Sequence, residues 1–231
     1  MNLPRANSPN SRPVRRIGKA AGGKEANSGK PSEPSGEFTV FLDRDGVFNV
    51  NPPVGLRLYR NLVWLPGARE AFARLNRPGI QTCLCTNQPW VGLLTATPGM
   101  ISRLHVRFSA ELEKHGGKLH RIEAAHGHPL FRFRRTKPRP GMLEDGAAAL
   151  AAAGHPVDKA RAVMVGDKLK DAQAAAAYGV PAILLATTYP AQSLAARAAA
   201  KGVPYAAIVP DLAAAVDLVL AWAARPGPVK V

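Results

Sequence analysis

Two carboxylates separated by a single residue follow an apolar run in the first quarter of the sequence. Asp43 and Asp45 come directly after "FTVFL" (38–42), in the segment Asp43-Arg44-Asp45-Gly46. An unpaired carboxylate is costly to desolvate, so a buried strand that ends in two acids must meet a cation there. The pattern therefore predicts a site for a metal ion or another positive group at this strand end.

Polar residues also follow or adjoin the ends of other predicted strands, and they are Thr86, Asn87, Lys137, Asp167 and Asp171. In a parallel sheet, the carboxyl ends of the strands would bring these side chains to one edge. Three carboxylates gathered there require a cation, and oxygen ligands suit Mg²⁺. A lysine ammonium and a threonine hydroxyl suit a phosphate group that the same ion contacts. The set therefore predicts a phosphoryl-transfer site with a carboxylate nucleophile.

Each of these motifs also has an ordinary structural interpretation. The Asp-Arg-Asp-Gly segment could open a calcium-binding EF-hand loop, but Val54 stands where that loop needs glutamate, and an apolar strand precedes it. Asp167 could simply cap a helix, and Thr86 with Asn87 could form a turn. Because all of the motifs occur in this order, each near a strand end, we favour the phosphoryl-transfer interpretation.

Short apolar runs alternate with Ala- and Leu-rich helical patterns from residue 37 onward. We predict strands at 38–43, 80–86, 119–125, 161–166, 181–186 and 206–209. We predict helices near 67–77, 98–115, 141–153, 170–178, 190–201 and 211–223. This alternation indicates an α/β fold, namely a three-layer, Rossmann-like arrangement with a mostly parallel sheet flanked by helices.

The first 36 residues differ in composition from the rest of the chain. They are dense in Pro, Gly, Ser and Asn and have few large apolar residues, so we predict a disordered basic tail over 1–36. The formal net charge of the whole chain is +15, which permits contact with nucleic acid without requiring it. The sequence has neither a secretory h-region nor an apolar run near the ~20 residues of a membrane helix. We therefore expect a cytoplasmic protein without membrane contact.

Taken together, the motifs resemble those of the haloacid dehalogenase (HAD) superfamily of phosphatases over about residues 38–186. The matches to the four superfamily motifs are, in chain order, Asp43-Arg44-Asp45-Gly46, Thr86, Lys137 and Gly166-Asp167 with Asp171. More narrowly, five stretches are similar to histidinol phosphatases and D-glycero-D-manno-heptose 1,7-bisphosphate 7-phosphatases: "FLDRDGVFN", "LPGA", "TNQ", "KPRPGM" and "MVGDKLKDAQAA". The resemblance implies a HAD-like phosphatase domain over 37–225, followed by a short flexible segment at 226–231.

The resemblance also implies a role for each matched carboxylate. Asp43 would attack phosphorus and form an aspartyl-phosphate. Asp45 would protonate the leaving oxygen and later deprotonate the hydrolytic water. Mg²⁺ would be held by Asp43, the backbone carbonyl of Asp45 and Asp167. Asp171 and Lys168 would support this group.

A second group of residues would bind the substrate. Lys137 and Thr86 would stabilise the charge on the transferring phosphoryl group, with Asn87 beside them. The subgroup often has an arginine directly before that lysine, whereas this chain has threonine there. We expect Arg134 and Arg135 to supply the missing charge, since guanidinium groups suit a second phosphate.

The subgroup often carries a zinc loop, with Cys and His before the third motif and a Cys-x-Cys pair beside it. The corresponding region here contains His126 and His128 but no cysteine. Cys83 and Cys85 belong to a predicted strand, where we expect reduced core thiols. Two histidines alone do not complete a structural zinc site. We therefore expect Mg²⁺ as the cofactor and do not expect zinc.

The leading functional hypothesis is a Mg²⁺-dependent phosphomonoester hydrolase that acts on a small phosphorylated metabolite. A sugar phosphate such as D-glycero-D-manno-heptose 1,7-bisphosphate is the favoured substrate, and the expected assembly is a monomer. Histidinol phosphate is an alternative substrate. The basic composition also keeps open a nucleic-acid 3′-phosphatase, which we favour less. A non-enzymatic binding protein is the weakest hypothesis, because every expected catalytic residue is present.

Overall fold

The computed structural model describes residues 36–51, 55–128, 130, 131 and 133–229. The predicted tail therefore lies outside the described residues except for Gly36. The division of the chain into 1–36, 37–225 and 226–231 stays a prediction.

Six strands form a single sheet in which every neighbouring pair is parallel. They are β1 (Phe38–Leu42), β2 (Ile80–Asn87), β3 (Arg121–Ala125), β4 (Ala162–Gly166), β5 (Ala182–Leu185) and β6 (Ala207–Val209). The order across the sheet is β3-β2-β1-β4-β5-β6. All six predicted strands are present with small differences at their ends, and the predicted Rossmann-like α/β fold is confirmed.

Among the described residues, seven α-helices accompany the sheet. They are α1 (Ala68–Ala73), α2 (Pro89–Gly92), α3 (Pro98–Lys114), α4 (Gly141–Ala152), α5 (Leu169–Tyr178), α6 (Ala191–Lys201) and α7 (Leu212–Ala223). Sequence analysis missed α2, because a single turn is too short to show helical periodicity. Helix α3 begins where the Thr97 hydroxyl accepts a hydrogen bond from the Met100 backbone N–H, with Pro98 in the first helical position.

The sheet lies between two apolar layers. Along β1, Phe38, Val40 and Leu42 point into one layer and Phe41 points into the other, as the two-residue period of a strand requires. The first layer takes its buried side chains from α1, α3 and α7, and the second takes them from α4, α5 and α6. Both faces of the sheet are therefore covered, which explains why its strands are almost uniformly apolar.

The strand order reverses between β1 and β4. From β1 the chain builds outward through β2 to β3 on one side, and β4 then starts the other half of the sheet. In open α/β sheets, ligands bind in the crevice at the carboxyl ends of the strands at this reversal. Asp43 follows β1 and Asp167 follows β4, so both of these predicted site residues lie at that crevice.

We predict that Phe108→Ala lowers the free energy of unfolding by about 3–5 kcal/mol. Phe108 is completely buried on α3, stacks on Trp64 at 5.0 Å between ring centroids and meets Phe48 edge-on at 5.3 Å. Val106→Ala is the matched control on the same helix, because Val106 is 66% exposed. It should change stability by less than about 0.5 kcal/mol. Equal losses in urea denaturation would show that Phe108 does not anchor this layer.

Candidate active site

Three buried carboxylates meet at the crevice. Asp43 follows β1, Asp167 follows β4, and Asp171 lies in the first turn of α5. One carboxylate oxygen of each lies within 4.8 Å of those of the other two, and all three side chains are buried. Buried carboxylates this close together stay ionised only with positive charge nearby. The cations around the cluster therefore determine its protonation state.

Two glycines allow these carboxylates to approach so closely. A Cβ atom on Gly46 would stand 2.1 Å from Asp167 Oδ2, and Gly46 also has a φ of +83°. A Cβ atom on Gly166 would stand 2.4 Å from the Cβ of Asp171. Both positions therefore need glycine for space, and Gly46 needs it for conformation as well.

Lys137 supplies a buried positive charge within the cluster. Its Nζ lies 3.1 Å from Asp43 Oδ1 and 2.6 Å from Asp171 Oδ1, and it donates a hydrogen bond of 2.8 Å to the Cys85 carbonyl. Burial lowers the pKa of Lys137, but the carboxylates of Asp171 and Asp43 outweigh it and raise the pKa above its ordinary value. The side chain is therefore a fixed ammonium.

Asp43 is held in its ionised form. Burial raises its pKa, but the ammonium groups of Lys137, Lys170 and Lys168 outweigh burial and bring the pKa below its ordinary value. Oδ1 accepts the Arg44 backbone N–H at 2.8 Å and contacts Lys137. Since no donor among the described residues contacts Oδ2, that oxygen is free to react.

Asp167 carries the least compensated charge of the cluster. Its Oδ2 accepts a hydrogen bond from the Thr188 hydroxyl and lies 3.3 Å from Lys168 Nζ, whereas its buried Oδ1 has no hydrogen-bond partner among the described residues. Burial and the carboxylates of Asp171 and Asp43 raise the pKa of Asp167 to about 6. An unpartnered carboxylate oxygen beside two others fits a hard divalent cation, which prefers oxygen ligands.

Asp45 is held by two neighbouring side chains. Arg44 donates from Nε to Oδ1 and from Nη2 to Oδ2, each at 3.0 Å, and Asn49 Nδ2 donates to Oδ1 at 2.9 Å. The Asp45 side chain remains 15% exposed and faces the same cavity as Asp43. The predicted acid–base residue is therefore present at the site in a fixed orientation.

A cavity of about 410 Å³ opens in front of Asp43. Sequence analysis placed Asp43, Asp45, Asn87, Lys137 and Lys168 at the site, and all of them line this cavity. Asn51, Trp90 and Lys170 are among the lining residues that were not predicted. Lys170 could have been found from its place in "GDKLKD", three residues after Asp167, whereas nothing in the sequence distinguishes Asn51 or Trp90.

The side chains of Thr86 and Asn87 both form hydrogen bonds within the protein. Thr86 is buried, and its hydroxyl accepts a hydrogen bond of 2.9 Å from the side-chain amide of Gln88. Asn87 Nδ2 donates to the Lys137 carbonyl, and the Lys137 backbone N–H donates to Asn87 Oδ1, each at 3.0 Å. Asn87 thus holds the backbone that carries the ammonium, and its predicted contact with phosphate stays a prediction.

Arg134 and Arg135 do not line the 410 Å³ cavity. Arg134 pairs with Glu144 and Asp145 of α4, and Arg135 pairs with Asp145 and with Glu123 of β3. Both guanidinium groups are therefore committed to ion pairs on the neighbouring helix and strand. The predicted substrate contact of these two arginines stays a prediction, since they line an adjoining cavity that shares Gly127 and Thr136 with this one.

The cysteines and histidines considered for zinc lie on or after two neighbouring strands. Cys83 and Cys85 are free, buried thiols on β2, as predicted, with their sulfur atoms 3.8 Å apart. His126 and His128 follow β3. Across the described ranges, three or more potential metal ligands come together only at Asp43, Asp167 and Asp171. The expectation that zinc is not used stays a prediction.

Comparison with known proteins agrees with this geometry. The sequence model of haloacid dehalogenase-like hydrolases matches residues 42–179, which include all of the predicted motif residues. The chain belongs to this hydrolase family. The resemblance noted from the sequence is confirmed, and so is the enzyme class of a HAD-type phosphatase, which the named relatives also support.

Several relatives are named as phosphatases of a heptose 1,7-bisphosphate. A protein of Rhodopseudomonas palustris named D-glycero-beta-D-manno-heptose-1,7-bisphosphate 7-phosphatase is 34% identical over 62% of this chain and 79% of its own length. A protein of Mycobacterium tuberculosis named as the phosphatase for the alpha form is 32% identical over 60% of this chain and 72% of its own.

A solved structure resembles this fold closely. It is the D,D-heptose 1,7-bisphosphate phosphatase of B. bronchiseptica, complexed with magnesium and phosphate. The TM-score is 0.69 with 29% identity, over 80% of this chain and 98% of that one. Within the described residues of the present HAD-type phosphatase, no helix is long and apolar enough to cross a membrane.

We predict that a divalent cation raises the thermal midpoint of the parent protein and that Gly46→Ala removes this rise. The added methyl group would displace Asp167 and require a left-handed backbone that alanine disfavours. Gly67→Ala is the matched control, because Gly67 has a φ of +68° and an added Cβ would meet nothing within 4 Å. It should lower stability but keep the cation-dependent shift. A full shift in Gly46→Ala, measured with and without Mg²⁺, would refute this role.

Proposed function

We propose that this HAD-type phosphatase is Mg²⁺-dependent and removes the C7 phosphate of heptose 1,7-bisphosphate through an aspartyl-phosphate intermediate. The observation that carries the proposal is an ionised Asp43 in contact with a buried ammonium, facing an open cavity beside two further carboxylates. That arrangement offers a nucleophile, a fixed cation and a metal-binding group at one strand end, and these are the parts that phosphoryl transfer needs.

Asp43 Oδ2 attacks phosphorus while the bond from phosphorus to the C7 oxygen of the sugar breaks. The contacts of Oδ1 with Lys137 and with the Arg44 N–H orient the carboxylate, so its second oxygen faces the cavity. Water then attacks phosphorus, releases inorganic phosphate and restores the Asp43 carboxylate. The water takes the place of the departed C7 oxygen, across phosphorus from Asp43, so the oxygens that gain and lose a proton occupy the same position in both half-reactions.

Asp45 transfers the protons in both half-reactions. It gives a proton to the C7 oxygen as that oxygen leaves and takes one from the attacking water in the second step. Lys137 stabilises negative charge on the transferring phosphoryl oxygens, and its pKa is too high for it to donate its own proton. The two roles are therefore divided between separate side chains.

Asp43, Asp167 and the backbone carbonyl of Asp45 would hold Mg²⁺, with Asp171 in support. The fit rests on the unpartnered Asp167 Oδ1 and on the all-oxygen character of the group. When bound, the ion would neutralise charge on the phosphoryl group and on the carboxylates.

The choice of a bisphosphorylated sugar rests on the cavity's cations and on the relatives' names. Lys168 and Lys170 line the cavity in addition to Lys137. Lys168 is paired with Asp167, whereas Lys170 forms no ion pair among the described residues. Lys170 is therefore the side chain best placed to receive a second phosphate, the task that sequence analysis gave to Arg134 and Arg135.

We predict that Lys170→Met lowers kcat/KM for heptose 1,7-bisphosphate by roughly 10- to 100-fold, which corresponds to the loss of one charged hydrogen bond. Its effect on heptose 7-phosphate should be much smaller, because that substrate lacks the second phosphate. Arg134→Met is the matched control, since Arg134 lies outside the cavity in ion pairs with α4. It should leave the preference for the bisphosphate intact.

The same phosphate-release assay tests the substrate class. The alpha and beta anomers of the bisphosphate, histidinol phosphate and a 3′-phosphorylated oligonucleotide should be compared with the parent enzyme at low and high salt. We expect one of the bisphosphate anomers to give the highest kcat/KM. A preference for the oligonucleotide that disappears at high salt would instead indicate a nucleic-acid substrate.

A further inference from the structure

A buried arginine connects Asp45 to the middle of helix α3. Arg44 is completely buried, which is rare for arginine and requires partners for its charge. Its Nε and Nη2 form the two parallel bonds to Asp45, and its Nη1 lies 3.1 Å from Nε2 of His105. One guanidinium therefore bridges a carboxylate at the cavity and an imidazole behind it.

His105 is buried and neutral in this arrangement. Burial, together with the charges of Arg44 and His126, lowers the pKa of His105 to about 3. A guanidinium can only donate hydrogen bonds, so Nε2 of His105 is the acceptor and the proton of the ring lies on Nδ1. His105 therefore accepts a hydrogen bond from Arg44 Nη1 without bringing a second positive charge.

His105 does not face the reaction. It is absent from the lining of the cavity that holds Asp43, and it lines a separate groove of about 580 Å³ between α3 and β3. Any effect it has on the chemistry must pass through Arg44. The planar guanidinium has its orientation set by contacts on both sides, Asp45 on one and His105 on the other.

We propose that His105 is a positioning residue that fixes the Arg44 guanidinium and, through it, the Asp45 carboxylate in the orientation for proton transfer. The inference rests on the proposed function, since it assumes that Asp45 moves the protons of that reaction. Proton transfer requires the carboxylate within about 2.6–3.2 Å of the leaving oxygen. Asn49 holds only one oxygen of Asp45, so it does not define the carboxylate plane by itself.

Loss of this positioning role should affect the rates of the two half-reactions differently. A poor leaving group such as a sugar alkoxide needs the proton from Asp45, whereas dinitrophenolate leaves without one. The second half-reaction needs Asp45 as a base whatever group has left. Loss of the His105 contact should therefore slow the first step only for the sugar phosphate, and the second step for both substrates.

The test compares His105→Leu, which removes the acceptor, with His105→Gln, whose amide oxygen can still accept from Arg44. We expect His105→Leu to lower kcat on heptose 1,7-bisphosphate by roughly 10- to 100-fold with little change in KM. On 2,4-dinitrophenyl phosphate it should release a first equivalent of dinitrophenolate at the parent rate, followed by slow turnover. His105→Gln should recover most of the lost kcat.

Other outcomes would overturn the inference. Equal slowing of the first dinitrophenolate release and of sugar-phosphate turnover would indicate general structural damage, and parent rates on both substrates would show that the contact has no role. If His105→Leu does not fold, His105→Asn carries the same expectation, because its shorter amide does not reach Arg44. Failure of the proposed function itself would look different, since the parent enzyme would then not hydrolyse heptose 1,7-bisphosphate.

Discussion

The structure depends on balancing charge where β1 and β4 leave the sheet. Asp43, Asp167 and Asp171 place three carboxylates within 4.8 Å in a buried position, and the ammonium of Lys137 contacts two of them. Without that ammonium the cluster would protonate, because burial favours the neutral form of an acid. The raised pKa of Asp167 shows that the balance is incomplete, which leaves room for a divalent cation.

Several neighbouring residues hold these charged groups in place. Asn87 holds the backbone of Lys137 with two reciprocal hydrogen bonds, and Gly46 leaves space for Asp167. Arg44 sits among the acids yet is committed to Asp45 and His105, so it does not compete with Lys137 for Asp43 through its side chain. Asp43 and Asp45 therefore have separate cationic partners.

The strands, the helices and the motifs at their ends were predicted from the sequence. The contacts of the long arginine side chains were not. The alternating strands and helices set the fold, and the motifs at their ends located Asp43, Lys137 and Asp167, because strand ends in a parallel sheet share one edge. The partners of Arg134 and Arg135 depend on carboxylates that approach only after folding, and no local pattern encodes those distances. The contact between Arg44 and His105 was not predicted for the same reason, because the two residues are far apart in the sequence and meet only in the fold.

Rapid acid quenching would establish whether Asp43 forms a covalent bond to phosphorus. Enzyme would be mixed with heptose 1,7-bisphosphate labelled with ³²P at C7, quenched within the first turnover and digested. We expect an acid-stable, hydroxylamine-sensitive label on the peptide that contains Asp43, and none on Asp43→Asn. Turnover by the parent enzyme with the label on another residue, or turnover at an undiminished rate by Asp43→Asn, would contradict it.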